Sequence, residues 1–407
     1  MRPIKPARFE KDESLCAPDA SSVLADATAL GLIGLTIMLF GLTMLYSTSF
    51  GSVGSSFFQK QLMWAVVGTV GIGFVLAVGY KRLSDWSLFI MGGVCLLLII
   101  ADFMFPAVKG AHRWIMIKGV GNIQPSELAK IALCLFLAKY CADSSRSIEN
   151  APFLKVFVPA GILCAPMIGL VLLGKDLGTT VLLCTVFLFV LFAAGVKLRY
   201  ILSIPCIAAP ALFFIIKHFD PMRWARITSF LDPEANQVDD GYQLWNSLLA
   251  LGSGDLFGVG FTESRMKARY LPEAHTDFIL SIVGEELGFI ALCLVMAAYV
   301  AFVYFAIRIS SKARTRQGML LGFGFACVIA LQAIINIGVV SGSFPTKGMP
   351  APFISYGGSN LLMCLCATGL LISIAIDAAY PEYNAELYQR AASFFKKITP
   401  GKRTGGS

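Results

Sequence analysis

The chain has 407 residues, 57% of them hydrophobic and 14% charged, with a mean hydropathy of +0.73. Soluble globular domains carry about 25% charged residues, so the composition excludes a soluble enzyme and points to a membrane protein. The formal net charge of +8 then reads as membrane topology, and no nucleic-acid role is expected.

Residues 1–26 form a mixed polar arm in which Arg2, Lys5, Arg8 and Lys11 alternate with Glu10, Asp12, Glu13 and Asp19. No short apolar region with a cleavage site stands in it, so no cleavable signal is expected. Crossing ~30 Å of hydrocarbon takes roughly 20 apolar residues. Such runs are predicted near 27–47, 62–80, 87–107, 126–142, 153–173, 177–195, 200–217, 278–307, 318–341 and 357–379. The expected fold is an all-α, polytopic integral membrane bundle of about ten transmembrane helices. One domain covers 27–380, with a large extracytoplasmic loop at 218–277 between spans 7 and 8 and a tail at 381–407.

With ten spans, the arm, Lys81-Arg82, Lys197 with Arg199, the Arg308–Arg316 cluster and the tail (Lys396, Lys397, Lys402, Arg403) fall on one face. The positive-inside rule makes that face cytoplasmic, with both termini there. Ten of the eleven cysteines lie in or at the edges of spans and Cys16 in the arm. Small buried hydrophobes, not disulfides, are expected.

The odd-numbered loops collect the polar chemistry. The one before span 4 reads Lys109-Gly110-Ala111-His112-Arg113-Trp114-Ile115, then Gln124-Pro125-Ser126-Glu127-Leu128-Ala129-Lys130. Pro125 and Ser126 mark a helix start. Glu127 and Lys130 share a helix face, and two readings stand: they line a polar cavity or touch lipid headgroups, or they form a structural ion pair. Gly174-Lys175-Asp176-Leu177-Gly178-Thr179-Thr180 is equally a tight turn with a capping aspartate or a segment of a site.

The 218–277 loop is longer than a connector needs. It carries Arg223-Trp224-Ala225-Arg226-Ile227, Gly241-Tyr242-Gln243 and an amphipathic pattern over 242–251. That pattern suits a helix on the outer leaflet with Trp245 at headgroup depth. Arg265, Lys267 and Arg269 precede Tyr270-Leu271-Pro272-Glu273-Ala274-His275-Thr276-Asp277. A cationic, aromatic pocket over a membrane suits a polyprenyl phosphate.

Asp277 stands where this loop meets the apolar run opening Phe278-Ile279-Leu280. A carboxyl at a membrane border is costly unless something uses it, which makes Asp277 the leading functional candidate. His275 either orients it or packs. Glu285 and Glu286 lie roughly 12–14 Å further along a helix and are expected to pair inside the bundle. The last external loop, Phe344 to Ser359, is rich in proline and glycine and is expected to be a re-entrant segment, buried or lining a cavity. Its Gly357 and Gly358 amides suit an anion nest, and Lys347 adds a point charge for phosphate.

These separated motifs resemble, in order and over most of 27–380, the SEDS family (shape, elongation, division and sporulation) that contains FtsW, RodA and SpoVE. The resemblance rests on His112 to Ile115 with Gln124 to Lys130, Asp176 to Thr179, Gly241 to Gln243, Tyr270 to Asp277, Gly284-Glu285-Glu286-Leu287-Gly288 and Pro352 to Ser359. Tyr270 to Asp277 and Pro345-Thr346-Lys347-Gly348 look closer to the FtsW branch. Two places depart from the family pattern. Lys175 stands where proline is usual, and Leu256 to Arg269 lacks the glycine-rich, glutamine-lysine pattern.

The resemblance implies a peptidoglycan glycosyltransferase in the bacterial inner membrane. It would polymerise lipid II into undecaprenyl-linked glycan at the division septum, beside a class B penicillin-binding protein (a transpeptidase) and other divisome proteins. Asp277 matches the position taken as catalytic. As general base it would deprotonate the acceptor 4-hydroxyl, a contribution of ~10²–10⁴-fold, with inversion and loss of undecaprenyl pyrophosphate. Lys109, Arg113 and Lys347 are the expected pyrophosphate partners. Trp114, Glu127, Lys130, Arg226, Tyr242, Gln243, Glu273, His275, Thr276, Ser355, Gly357 and Gly358 complete the expected substrate surface, with membrane lipid around it. No cofactor is firm; a divalent cation, Mg or Mn, is an open addition with unknown ligands. The alternatives are a RodA-like lateral-wall polymerase, a lipid II flippase and a non-catalytic scaffold. A flippase would place charges along a path through the midplane, and Glu285 and Glu286 favour it.

Overall fold

The computed structural model describes residues 19–50, 56–106, 111–117, 121–144, 148, 153–237 and 241–381. Lys109 lies outside the described residues, as do most of the arm and tail. Each predicted apolar run becomes a helix. In chain order these are α1 (Ala20–Phe50), α2 (Ser56–Val78), the short α3 (Tyr80–Asp85), α4 (Ser87–Met104) and α5 (Pro125–Asp143). A π-helical turn at Phe153–Phe157 leads into α6 (Val158–Leu173), followed by α7 (Leu177–Ala193) and α8 (Leu198–Phe219). After the long loop come α12 (Ile279–Ser311), α13 (Arg316–Val340) and α14 (Gly358–Ala379).

Among the described residues, eight helices are long and apolar enough to cross a membrane. Of the remaining predicted spans, α7 is too short for that criterion, and α5 carries Glu127, Lys130, Lys139 and Asp143. Both nevertheless stand inside the bundle, α5 packing against α4, α7 and α13. Buried charge lowers the hydropathy of α5 while tying it into the core. The first helix begins at Ala20 instead of residue 27, and Asp26 is buried there, with Lys312 Nζ at 2.6 Å and Arg308 Nε at 3.3 Å. The end of the presumed arm is therefore helix.

The core runs through α5, α13 and α14, with α2 packed along α14, and α12 against α1 and α13. By contrast α8 touches little beyond α7 and the helix at Pro221–Leu231, and only Ile201 and Ile216 are buried on it. A helix so apolar without protein cover faces lipid. The basic clusters gather at one end of the bundle. Lys81 donates to Asp377 at 2.6 Å, Lys312 to Asp26 at 2.6 Å, and Arg316 to the Ala194 carbonyl at 2.6 Å. Every described cysteine is a free thiol.

The opposite end carries irregular structure. A two-stranded antiparallel hairpin, β1 (Ile115–Ile117) and β2 (Gly121–Ile123), leads into α5, with Ile115 opposite Ile123. The long loop contains α9 (Pro221–Leu231), α10 (Tyr242–Ser253) and α11 (Met266–Arg269). The amphipathic helix exists, but it docks on protein instead of lying on lipid. Leu244, Asn246, Ser247 and Ala250 are buried, and Ser247 Oγ bonds Ser281 Oγ at 2.7 Å and the Val340 carbonyl at 2.8 Å. Ser247 has its partners on α12 and α13, which an acyl surface lacks.

Within α12 the helix breaks at Gly288 (φ 78°, ψ −178°). The loop before α11 fills the break. Val259 and Gly260 donate to the Glu285 and Glu286 carbonyls at 2.9 and 3.1 Å, and Phe289 and Ile290 donate to Asp255 and Leu256 at 2.9 and 3.3 Å. A left-handed φ and this backbone approach both require glycine. The break also settles Glu285 and Glu286. Glu285 accepts from Ser264 Oγ and from Arg265 N at 2.9 Å; Glu286 meets Lys267 Nζ at 2.6 Å and Ser47 Oγ at 2.7 Å. Both carboxylates are buried and tie the loop to the bundle. They do not line an open path.

Candidate active site

Two polar centres meet at this irregular end. The first is built by Asp277, half-buried and immediately ahead of α12. The loop between α13 and α14 closes on it. A Cβ on Gly348 would stand 2.8 Å from Asp277 Oδ2, so only glycine leaves the carboxylate its place. Behind it, three consecutive carbonyls are held. The Tyr356 amide donates to His275 at 2.9 Å, Ser355 Oγ to Thr276 at 2.5 Å, and Asn336 Nδ2 to Asp277 at 2.8 Å.

The side chains around Asp277 mostly build this segment. Thr276 Oγ1 donates to Glu273 Oε2 at 2.9 Å, closing a turn in which Glu273 takes φ 59°. His275 stacks on Phe57 (4.4 Å, 19°), which also packs against Tyr356. Packing is thus an established part of the His275 role. Ser355 is 1% exposed and bonded to backbone, so its side chain is unavailable to substrate.

Asp176 organises the second centre. It caps α7 through Thr179 N at 3.1 Å and accepts from Gln124 Nε2 and Ser126 Oγ, both at 3.0 Å. Arg113 Nη1 stands 3.9 Å from it. The Lys347 stem crosses Gly178 so closely that a Cβ there would overlap its Cε. Burial pushes the Lys347 pKa down to about 8; Asp176 opposes that shift and Arg223 adds to it. The capping reading of Asp176 is thus borne out, and the same carboxylate also holds Gln124 and Ser126. Lys175 takes φ 63°, which a proline ring forbids, and its carbonyl faces Arg223 Nη2 at 3.5 Å. Lys347 and Gly348 are consecutive, so the cation at Asp176 and the backbone that faces the Asp277 carboxylate are neighbours in the chain.

Other expected residues fall elsewhere. Glu127 and Lys130 are 2% and 0% exposed and bond each other at 2.7 Å, with Lys130 also on Gln332 Oε1 at 3.0 Å. That is the ion-pair reading: their polar atoms are closed off from substrate or lipid. The Gly357 amide expected in the anion nest is already taken. Gly357 donates its amide to Gln61 Oε1 at 3.1 Å with an extended φ of 169°, and Gly358 presses on the Trp64 indole. Tyr242 and Gln243 sit on the first turn of α10, Arg226 is exposed on α9, and Trp114 precedes β1. Among the described residues no hydrogen bond joins these four side chains to either centre. Sequence reasoning missed Asn336, Gly348 and Gln124 as site-builders, and Arg223 as a further cation beside Lys347. It also left Asp176 undecided.

Among the described residues, no group of three or more His, Cys, Asp or Glu side chains gathers to hold a metal.

The family model of FtsW, RodA and SpoVE, described as cell cycle protein, matches residues 22–380. The probable peptidoglycan glycosyltransferase FtsW of Geobacter sp. strain M18 is 37% identical over 84% of this chain and 95% of its own. The stage V sporulation protein E of Bacillus subtilis strain 168 is 35% identical over 86% and 97%. Among solved structures, a chain of a peptidoglycan synthase complex that coordinates polymerization and crosslinking superposes with a TM-score of 0.72. It is 25% identical over 86% of this chain and 97% of that one. The rod shape determining protein RodA of Thermus thermophilus has the same fold, with a TM-score of 0.62 over 86% and 96% of the two chains. The match across both sequence and bundle is conclusive: this chain belongs to the FtsW, RodA and SpoVE family of cell cycle proteins.

Proposed function

We propose that the chain is a peptidoglycan glycosyltransferase that polymerises lipid II, with Asp277 as general base and Lys347 and Arg113 as the cations that meet the diphosphate. The observation that carries this reading is the Lys347-Gly348 pair, which joins a carboxylate to a cationic pocket at a membrane border. Asp277 takes the proton from the acceptor 4-hydroxyl as its oxygen forms the new bond to the donor's anomeric carbon. The bond from that carbon to the diphosphate breaks with inversion, and undecaprenyl pyrophosphate leaves with the electron pair. Lys347 and Arg113 offset the charge that develops on the leaving group, where fixed cations act most strongly. A divalent cation, Mg or Mn, would supply further charge to the diphosphate, and no step is assigned to it.

The basic end of the bundle then faces the cytoplasm and the site faces outward, with the arm before α1 and the tail after α14 both cytoplasmic. The FtsW names of the relatives support a septal role. The synthase-complex neighbour supports a class B penicillin-binding partner within the divisome. The test is polymerisation of purified lipid II by the chain with that partner. Asp277→Asn, folded and partner-bound, is expected to make no glycan strands; strands equal to wild type would remove Asp277 from the mechanism.

A further inference from the structure

The backbone carbonyls of residues that precede a helix have no helical ladder to hold them. The carbonyls of His275, Thr276 and Asp277 lie ahead of α12 and find their donors in other parts of the chain, at Tyr356, Ser355 and Asn336. Asn336 is 1% exposed and shares its Nδ2 between the Asp277 carbonyl at 2.8 Å and the Met349 carbonyl at 2.7 Å. Turning the amide over would set Oδ1 against two carbonyl oxygens, so its orientation is fixed. The Ser355 hydroxyl is fixed in the same way, accepting from Ala351 N at 2.7 Å while donating to Thr276. One amide therefore ties the backbone of Asp277 to the residue after Gly348, whose Cα faces the carboxylate.

We infer that Asn336 and Ser355 are positioning residues, which set the Asp277 carboxylate against its substrate by holding the carbonyls of Asp277 and Thr276. The inference rests on Asp277 being the base. Neither side chain touches substrate, so losing one shifts the base without emptying the binding pocket. Turnover then falls while half-saturation by lipid II stays in place. A displacement near 1 Å costs about 10²-fold in rate.

The experiment titrates lipid II against the full-length protein with its partner transpeptidase, for Ser355→Ala, Ser355→Thr, Asn336→Ala and Asp277→Asn, with an unfolding temperature for each. For Ser355→Ala and Asn336→Ala, turnover is expected to drop about 10- to 100-fold with half-saturation within about two-fold of wild type. Ser355→Thr, which keeps the hydroxyl, is expected to recover most of the loss. If Asn336→Ala does not fold, the two Ser355 variants decide alone. Folded Ser355→Ala with wild-type turnover overturns the inference, as does a loss that appears only in half-saturation or that threonine fails to restore. An active Asp277→Asn overturns the base assignment instead, which separates the two failures.

Discussion

Lys347 is the most instructive perturbation, because its burial sets stability against activity. An ordinary lysine titrates at 10.5, whereas Lys347 is brought down to about 8, with Asp176 and Arg223 as its charged neighbours. At about 1.4 kcal/mol per pH unit, keeping the ammonium charged in the empty protein costs about 3 kcal/mol. The folded pKa lies below the unfolded one, so the unfolded chain binds more protons between about pH 8 and 10.5. Stability therefore rises with pH across that window, and the whole cost is present below it. Lys347→Met should raise the unfolding temperature in detergent at about pH 7 and abolish this rise. It should also lower kcat/KM for lipid II about 10- to 100-fold, the worth of a charge-assisted hydrogen bond of ~1.5–3 kcal/mol. Wild-type kcat/KM should fall as pH passes about 8, while the variant stays low and flat. A wild-type profile unchanged to about pH 9.5, or a variant less stable than wild type at about pH 7, would refute the reasoning.

Three further outcomes follow from contacts already described. Gly348→Ala puts a methyl 2.8 Å from Asp277 Oδ2 and should cost about 10²-fold in strand synthesis, measured at matched expression and partner binding. Lys130→Met leaves the Glu127 carboxylate buried without its cation and should destabilise by about 3–5 kcal/mol; combining it with Glu127→Leu should recover most of that in the same melting assay. Gly288→Ala forces a Cβ into φ 78° and against the Leu256 carbonyl. It should cost at least ~1–3 kcal/mol, read as faster proteolysis within 251–265.

How much of this was legible in the sequence depends on the range of the interaction. Span positions were readable because apolar length is a local property; even α5 showed itself through Pro125, although its charges lower its hydropathy. Asp277 was readable because a border carboxylate is anomalous on its own. Facing was not readable. The pattern at 242–251 gives a helix, but whether lipid or protein covers it depends on Ser247 finding Ser281 and Val340. The glycines at 357 and 358 looked like an anion nest until Gln61 and Trp64 of α2 arrived to occupy them. Asn336 did leave a signal. With Gln332 one turn earlier, it is an amide inside an apolar span, a placement that calls for a partner across helices. Gly348 and Arg223 left none, since their importance comes from neighbours distant in sequence.

The break at Gly288 has a consequence for how the long loop can vary in length. Four backbone hydrogen bonds between 255–260 and 285–290 replace the helical ones lost there, and each needs its residue in register. Adding or deleting one residue between Asp255 and Gly260 would unmatch the set and loosen Glu285, which also receives Arg265. Residues 233–237 form a largely exposed turn with no such pairing to α12. This chain is therefore expected to accept an added residue at that turn and to lose its pairing with α12 when one is added in the stretch facing the break.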